Sequence, residues 1–401
     1  MNKKALIFSP SLEGHRQVYA HYLIEALLNR GNFVNLVSDP CISRNDYPYL
    51  TIYNSNPLVQ FIEIPNALQF SLQNLKVLQR KLSAELTIFA EADNHLKLLN
   101  EQWLPRSQRL IGKNLGIFIR SINYPRLPKI WTNPVNILRF MKHFPANWII
   151  DPVIFHEFTL PKFKLLDAAL TLDEEYVDSH LKPYIWLPDI VFPFFPDDPT
   201  NAISERQHWE PLLSSFIERN KGREVLLYFG EAQRRKGYDT LLKLACEENC
   251  CFVHCGLSSY PEKYEIDING LKNTLDARGL LFETKAYIQS YSAMKLFFES
   301  CHYILFPYRG HFGSSGVMLQ SVHFGRPVLV PDQGLMGSRT SRHHLGFNYN
   351  PDNYEDLKEK WNQIRESWAD FSINLTAYKE TFSKEEVMWT LDTILSQVLV
   401  Q

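Results

Sequence analysis

The sequence has 401 residues, of which 45% are hydrophobic and 21% charged, and its formal net charge at pH 7 is −2. This composition is typical of a globular protein of about two domains, and the near-neutral charge does not indicate bulk binding of nucleic acid. No apolar run is long enough to span a bilayer. The start, MNKKALIFSPSLEGH, favours a first strand over a signal peptide, so we expect a cytoplasmic protein with reduced cysteines.

The first half alternates between short apolar strands and helices. The helix after the first strand has apolar residues at helical spacing and stops at Gly31. Strands alternating with helices in this way are typical of a parallel sheet covered on both faces. The predicted strands are KALIFSPS, NFVNLVSD, LVQFIEIP, LTIFAEAD, LGIFIRSI, DAALTLDEEY and YIWLPDI, with helices over LQNLKVLQRKLSAE and from about Asn94.

A second alternating half follows a segment that is rich in proline and then polar, VFPFFPDDPTNAISERQHWEP, which we interpret as a linker. The chain ends in an amphipathic helix that Ser383 and Glu386 open as a capping box. Two doubly wound α/β halves would bind ligands at the carboxyl ends of their strands, in a cleft. The predicted strands of this half lie in REVLLYFG, CCFVHCG, LLFETKAYI, HYILFPYRG and RPVLVPDQG.

Four cysteines and a histidine cluster in the stretch CEENCCFVHC. A zinc site is one interpretation. However, Cys251 and Cys255 fall in a predicted buried strand, and zinc-binding pairs usually lie on a loop. We therefore interpret these cysteines as small core residues and predict no metal site.

The stretch YFGEAQRRKGYDTLL combines a strand end with a cationic loop. The strand ends at Gly230, and Lys236 and Gly237 open the next helix. A lysine at a helix N-terminus favours an anionic ligand. The alternative is a solvated basic loop before a helix.

A second loop, in PYRGHFGSSGVMLQ, leads from a buried strand into a Gly/Ser turn and a helix. Backbone N–H groups at the start of that helix could bind a phosphate, with help from the hydroxyls of Ser314 or Ser315. The alternative is an ordinary serine N-cap, because a Gly/Ser turn alone is weak evidence.

In order and spacing, the two loops resemble the C-terminal, donor-binding domain of retaining GT-B glycosyltransferases of the large family four. The resemblance covers about 224–346, and it extends more weakly to SLEGHRQVYAHYLIEALLNRG, DAALTLDE and IWLPDI in the first half. The residues that match the family pattern are Lys236, Gly237, Gly316, Gly325 and Pro327.

The chain departs from the family pattern at three positions. Glu231 stands where the family has arginine, and Phe312 and Gln320 stand where it has two glutamates. An amide at 320 can still hydrogen-bond ribose hydroxyls. Because the first glutamate is missing, the identity of the sugar is not predicted. Candidates for the role of the missing arginine are Arg234, Arg235 and Arg309.

The resemblance implies a nucleotide-diphosphate sugar as donor substrate, with no metal and no cofactor. It implies transfer of a sugar, in the manner of a hexosyltransferase, in the synthesis of a polysaccharide or glycolipid. The implied domains are an acceptor-binding domain over 1–195, a linker over 196–222, a donor-binding domain over 223–380 and a final helix over 381–401 that packs on the first domain. The expected donor-binding residues are Gly230, Glu231, Arg235, Lys236, Tyr287, Arg309, Ser314, Ser315, Gly316, Val317 and Gln320.

Candidate acceptor-side residues lie after two strands of the first half. His15 follows the first strand in EGHRQ, and Asp93 and His95 follow a later strand in FAEADNHL. Carboxyl ends of strands face the ligand in such sheets, so these three are the candidate catalytic residues. The alternatives are a solvent-exposed histidine at a helix start and a helix cap with exposed charges.

The span 102–150 contains no Asp or Glu, although basic residues and aromatics are interleaved along it. This pattern fits an anionic membrane surface or an anionic acceptor. With the resemblance, it implies a glycan or lipid-linked acceptor and peripheral contact with the cytoplasmic face of the membrane. The alternative is a basic surface offset by the acidic region DNYEDLKEKW.

Two other function classes are considered. The missing Arg and Glu residues suggest a non-catalytic nucleotide-sugar binder or subunit of a transferase complex. A nicotinamide-dependent oxidoreductase would require G-x-G-x-x-G after the first strand, and the sequence there is SPSLEGHRQ.

Overall fold

A computed structural model shows two compact units, each built on its own parallel sheet. The first unit comprises Met1–Phe192 together with Phe382–Gln401, and the second comprises Pro193–Thr381. The structure describes residues 3–12, 16–40, 48–67, 70–95, 110–119, 166–174, 177, 184–190, 199–258, 266–288 and 290–400.

The sheet of the first unit has seven parallel strands in the order β3-β2-β1-β4-β5-β6-β7. All seven strands predicted for the first half are present. The five inner strands are short apolar runs buried on both faces, whereas the edge strands β3 and β7 are only partly buried. The order reverses between β1 and β4, which is the switch point of a doubly wound sheet. The strands are β1 (Lys4–Phe8), β2 (Phe33–Ser38), β3 (Val59–Glu63), β4 (Leu86–Phe89), β5 (Lys113–Phe118), β6 (Ala168–Thr171) and β7 (Tyr184–Trp186).

Three described helices join these strands: α1 (Arg16–Asn29), α2 (Pro48–Thr51) and α3 (Leu72–Leu82). Ser71 caps α3, since its side chain accepts a hydrogen bond from Asn74 N at 3.2 Å. The helix buries Leu72, Leu75 and Leu78 against a core that includes Phe8, Phe89 and Phe118. After β4 the chain forms a 3₁₀ turn, Ala92–His95.

The sheet of the second unit has six parallel strands in the order β10-β9-β8-β11-β12-β13. Its switch point lies between β8 and β11, so the loops that follow these two strands leave the sheet side by side. The strands are β8 (Val225–Phe229), β9 (Cys251–Cys255), β10 (Leu281–Glu283), β11 (Tyr303–Leu305), β12 (Val328–Pro331) and β13 (Gly346–Tyr349).

Eight described helices belong to the second unit. In chain order they are α4 (Pro199–Arg219), α5 (Tyr238–Glu248), α6 (Ile268–Ala277), α7 (Tyr291–Ser300), α8 (Gly316–His323), α9 (Gly334–His343), α10 (Tyr354–Glu366) and α11 (Ser372–Glu380). The largest fully buried side chain is Trp361 of α10, whose ring packs edge-on against Tyr303 with centroids 4.7 Å apart.

The segment predicted to be a linker, 196–222, contains α4. Its first helical residue is proline, which suits that position because the missing N–H would be unpaired there. Leu213 and Phe216 of α4 are buried, and the Trp209 ring lies 6.2 Å from the Phe297 ring of α7. The segment is polar in overall composition, but α4 packs on the rest of the second unit through a narrow apolar stripe.

The basic span 102–150 falls largely outside the described residues. Residues 110–119 are described and form β5 and its flanks, an internal strand of the first sheet. Lys113 lies 3.6 Å from Asp167, so this cation has a carboxylate partner. In the described part of the chain, no helix is both long and apolar enough to cross a membrane.

The clustered cysteines and histidine lie in and around β9. Cys251, His254 and Cys255 are fully or almost fully buried in that central strand. Cys251 and Cys255 point to one face of the strand but are about 13 Å apart along it, and His254 points to the other face, so the three side chains do not converge on one point.

The final helix, α12 (Lys384–Val400), packs on α1 within the first unit. Ser383 caps it, because Ser383 Oγ accepts a hydrogen bond from Glu386 N at 3.2 Å. Lys384 lies 2.8 Å from Glu25 of α1, and Arg30 donates to Ser396 Oγ at 2.9 Å.

We predict that Ser383→Ala lowers the free energy of unfolding of the chain by about 1 kcal/mol, because the N–H of Glu386 loses its acceptor. Ser383→Asp is the matched control, since aspartate keeps an acceptor at the cap and should retain most of the stability. Chemical denaturation measures both variants, and an equal loss for the two would contradict the capping role.

Candidate functional site

The loops after β8 and β11 contact each other at the switch point of the second sheet. Gly237 has a φ of +68°, and a Cβ there would lie 2.1 Å from Pro307 O. The backbone N–H of Arg309 also donates to Arg235 O at 2.7 Å. Only glycine allows this approach, so the two loops predicted to bind one ligand form one surface.

Arg309 is a brace between these loops. Its guanidinium binds both carboxylate oxygens of Asp239, at 2.9 and 3.0 Å, and it also donates to Thr240 Oγ1 at 2.8 Å and Arg234 O at 3.0 Å. Asp239 is only 3% exposed. Because this bidentate pair occupies the N–H groups along one edge of the guanidinium, Arg309 stabilises the conformation of the loop.

Arg235 and Lys236 place two cations on this surface. Burial first, and then the charge of Arg235, lowers the pKa of Lys236 to about 8, although Glu231 acts in the opposite direction. Within the described residues, neither side chain has a carboxylate within 4.0 Å. A half-buried ammonium with no carboxylate in direct contact is unfavourable, and a bound anion would relieve that cost.

Glu231 lies at the start of the cationic loop. Its backbone oxygen accepts from Tyr228 Oη at 2.9 Å, and its carboxylate accepts from Gln233 Nε2 at 2.9 Å. Burial and the Glu231 charge both raise the pKa of Tyr287, which places this tyrosine on the same side of the unit. Tyr287 follows β10 and is 52% exposed, so its ring is available to a ligand.

The helix α8 begins at the other wall of the site. Ser315 caps it by accepting from Met318 N at 3.4 Å, and Ser314 Oγ accepts from Arg339 at 2.9 Å. Gly316 has open space where a Cβ would stand, and Val317 follows it in the first turn. Both serine hydroxyls therefore have partners in the protein, and the first backbone N–H groups of α8 are the available donors.

Gln320 lies one turn further along α8. It is 7% exposed, and its Oε1 has no hydrogen-bond partner among the described residues. A buried amide oxygen without a partner is costly in a folded protein, and it is expected where a ligand completes the network.

His311 is a residue of this surface that the sequence did not single out. Its Nε2 donates to Ser314 O at 3.1 Å, and its ring packs edge-on against Tyr308. Burial lowers its pKa to about 4, and the charges of Arg235 and Lys236 act in the same direction. The imidazole is therefore neutral near pH 7 and holds the turn that precedes α8. A lone histidine in a loop gives no sequence signal for such a role.

The candidate residues of the first unit are only partly described. His15 and the side chain of Asp93 fall outside the described residues. The neighbouring Arg16 lies 2.7 Å from Glu91, so this cation is paired.

His95 is buried against the rings of Phe8 and Phe89, at centroid distances of 5.0 and 5.9 Å. Burial lowers its pKa to about 4. Its Nε2 is buried, and no described residue makes a hydrogen bond with it. A neutral imidazole of this kind is a weak base that could accept a proton only transiently.

The sequence matches no protein-family model and no curated protein. Its fold, however, matches solved glycosyltransferase structures along the whole chain. Sucrose-phosphate synthase from Thermosynechococcus elongatus aligns at 15% identity and a TM-score of 0.66, over 100% of both chains. HepE from Anabaena, in complex with UDP, aligns at 12% identity and a TM-score of 0.63, also over 100% of both.

A glycosyltransferase from Rickettsia africae aligns at 12% identity and a TM-score of 0.60, over 99% of both chains. At such identities the likeness establishes the fold. Each unit carries the doubly wound sheet of the GT-B glycosyltransferases, and the predicted fold class is confirmed.

We predict that Gly237→Ala destabilises the protein by about 2 kcal/mol more than Gly279→Ala does. Both glycines have a φ of +68°, but a Cβ at Gly279 meets nothing within 4 Å, whereas one at Gly237 meets Pro307 O. The control thus carries the same backbone strain without the collision. Urea denaturation compares the two, and equal losses would show that the loops do not need this close approach.

Proposed function

We propose that this chain is a glycosyltransferase of family-four type that uses a nucleotide-diphosphate sugar as donor. The observation that carries the proposal is the pair Arg235 and Lys236 at the switch point of the second sheet, two cations with no carboxylate within 4.0 Å in the described residues. This is the crevice where doubly wound sheets bind nucleotides.

Each wall of the site suits one part of such a donor. Arg235, Lys236 and the first N–H groups of α8 would bind the diphosphate. The buried amide oxygen of Gln320 would accept a hydrogen bond from a ribose hydroxyl. The exposed ring of Tyr287 would pack against the base. The carboxylate of Glu231, which would repel phosphate, would accept hydrogen bonds from sugar hydroxyls.

UDP is the first nucleotide to test. HepE, whose fold this chain shares, is known in complex with UDP, with UDP and glucose, and with UDP-glucose. The nucleotide of this chain is a proposal that follows from that likeness.

The reaction would break the bond between the anomeric carbon and the diphosphate oxygen and form a bond to the acceptor oxygen. Negative charge grows on the departing diphosphate, and stabilising it is the main electrostatic task. Lys236 and Arg235 would supply that stabilisation from fixed positions. We propose that the sugar is transferred with retention, by attack on the face that the diphosphate leaves, and that a phosphate oxygen takes the acceptor proton.

We also propose a glycan or lipid-linked acceptor in the assembly of a polysaccharide or glycolipid. The support is the acid-free, basic and aromatic span 102–150, which would attract an anionic acceptor or a membrane surface at its cytoplasmic face. Mass spectrometry of products formed from candidate lipid-linked acceptors tests this part separately.

We predict that Lys236→Ala weakens UDP binding at least about tenfold, since a charge-assisted contact to phosphate is lost. Lys221→Ala is the matched control, because it removes the same charge from a side chain that is 79% exposed. Titration calorimetry and thermal unfolding of wild type and both variants, against UDP, GDP, ADP, dTDP and CMP, give the measurement.

Wild-type binding of one diphosphate, lost only in Lys236→Ala, supports the proposed site. Unchanged binding in Lys236→Ala would contradict it. Binding without any turnover or slow hydrolysis of the matching nucleotide sugar would favour the non-catalytic binder.

We also predict that the affinity for the nucleoside diphosphate falls as the pH rises above about 8. The pKa of Lys236 in the unliganded protein is about 8, so the ammonium is present below that pH and is lost above it. Lys236→Arg should show a flatter profile between pH 7 and 9.5, because arginine stays charged. Titration of the ligand affects both proteins equally, and identical profiles would exclude Lys236 as the titrating group.

A further inference from the structure

A polar cluster is buried behind the cationic loop. His254, in the middle of β9, is 0% exposed. Its Nε2 lies 3.1 Å from Gly230 O, and its Nδ1 lies 3.2 Å from Glu283 Oε1. A carbonyl and a carboxylate are both acceptors, so each ring nitrogen donates when the ring carries both protons.

Glu283, at the end of β10, is the anion of this cluster. Besides contacting His254, its carboxylate forms an ion pair with Lys272 at 2.7 Å. It also accepts hydrogen bonds from Tyr238 Oη at 3.2 Å and Ser258 Oγ at 3.3 Å. Burial acts to raise its pKa, but the hydrogen bonds from His254 and Lys272 prevail and hold it at about 2. Glu283 is therefore a permanent carboxylate that fixes the orientation of the His254 ring.

Gly230 joins this cluster to the ligand surface. Its φ is +112°, and a Cβ on it would lie 3.2 Å from Lys236 Nζ. Its carbonyl is packed against Gly256, where a Cβ would lie 2.1 Å from Gly230 O. One residue thus presents its α-carbon to the Lys236 ammonium and its carbonyl to His254.

A buried charged cluster is an expensive way to fill a core. Apolar side chains of similar volume would be at least as stable, because two ions must be taken out of water. The neighbours of His254 along β9, Phe252 and Val253, are ordinary apolar core residues. The polar side chain stands at the one position of the strand that reaches Gly230 O.

We propose that His254, oriented by Glu283, is a positioning residue of the donor site. It holds the Gly230 carbonyl as its own acceptor. A carbonyl that turned towards Lys236 would bind the ammonium and withdraw it from the diphosphate. The inference rests on the proposed function, since it explains how Lys236 is kept available for a nucleotide.

Two variants separate the two hydrogen bonds of His254. In His254→Gln the amide nitrogen can stand where Nε2 stood, so it can donate to Gly230 O. In His254→Asn the amide reaches only the Nδ1 position, so it can serve Glu283 but not Gly230. Both variants lose a buried ring, and we expect similar losses in melting temperature.

We expect His254→Asn to raise the Kd for UDP about tenfold or more, and His254→Gln to stay within about threefold of wild type. The same Asn substitution in a Lys236→Ala background should change the Kd little, because the two residues act through one contact. Calorimetry at a temperature where every variant is folded gives these values.

Equal weakening in the Asn and Gln variants would overturn the positioning role, as would additivity with Lys236→Ala. Unchanged affinity in His254→Asn would also overturn it, because the cluster would then contribute only to the stability of the core. Failure of the wild-type protein to bind any nucleoside diphosphate would instead overturn the proposed function, so the two failures are distinguishable.

Discussion

The structure of the second unit depends on the close approach of two backbone segments at Gly237 and Pro307. Parallel pairing of β8 with β11 brings the two loops to the same sheet edge, but pairing alone would leave them separated by side chains. Removing one side chain, by glycine, lets the loops touch, and the Arg309–Asp239 pair then fixes their relative orientation. A single surface results, with cations from one loop and helix N–H groups from the other.

The cations on this surface destabilise the unliganded protein. Lys236 lies next to Gly230 with no carboxylate within 4.0 Å in the described residues, and burial and the charge of Arg235 lower its pKa. In the same unit, by contrast, the buried carboxylate of Glu283 has Lys272 and Tyr238 as direct partners. The contrast is chemically informative, because an anion from solution that binds at Lys236 would lower the free energy of this site.

Much of the fold could be predicted because buried parallel strands leave near-continuous apolar runs. The helix α4 could not, since its apolar residues form a narrow stripe in a polar and proline-containing segment. Nor could β13, a four-residue strand of intermediate burial. The sequence indicated which loop residues could bind an anion, but it could not show which protein groups those residues contact in the folded chain. Thus Arg309 was expected to bind a ligand, whereas in the structure its guanidinium binds Asp239, which is buried in the first turn of α5.

The residues at which this chain departs from the family pattern change the distribution of charge around the candidate site. The family pattern has an arginine after β8 and a glutamate in the second loop, whereas this chain has Glu231 and Phe312 there. Relative to the pattern of the family that it resembles, this chain thus has a carboxylate in the first loop instead of the second, and one arginine fewer after β8. Arg235 and Lys236 still supply two cations on the first loop. In the proposed donor site, a carboxylate near an anionic diphosphate is tolerable where hydrogen-bond donors meet it, and the hydroxyls of a sugar are the donors that the proposed substrate offers to Glu231.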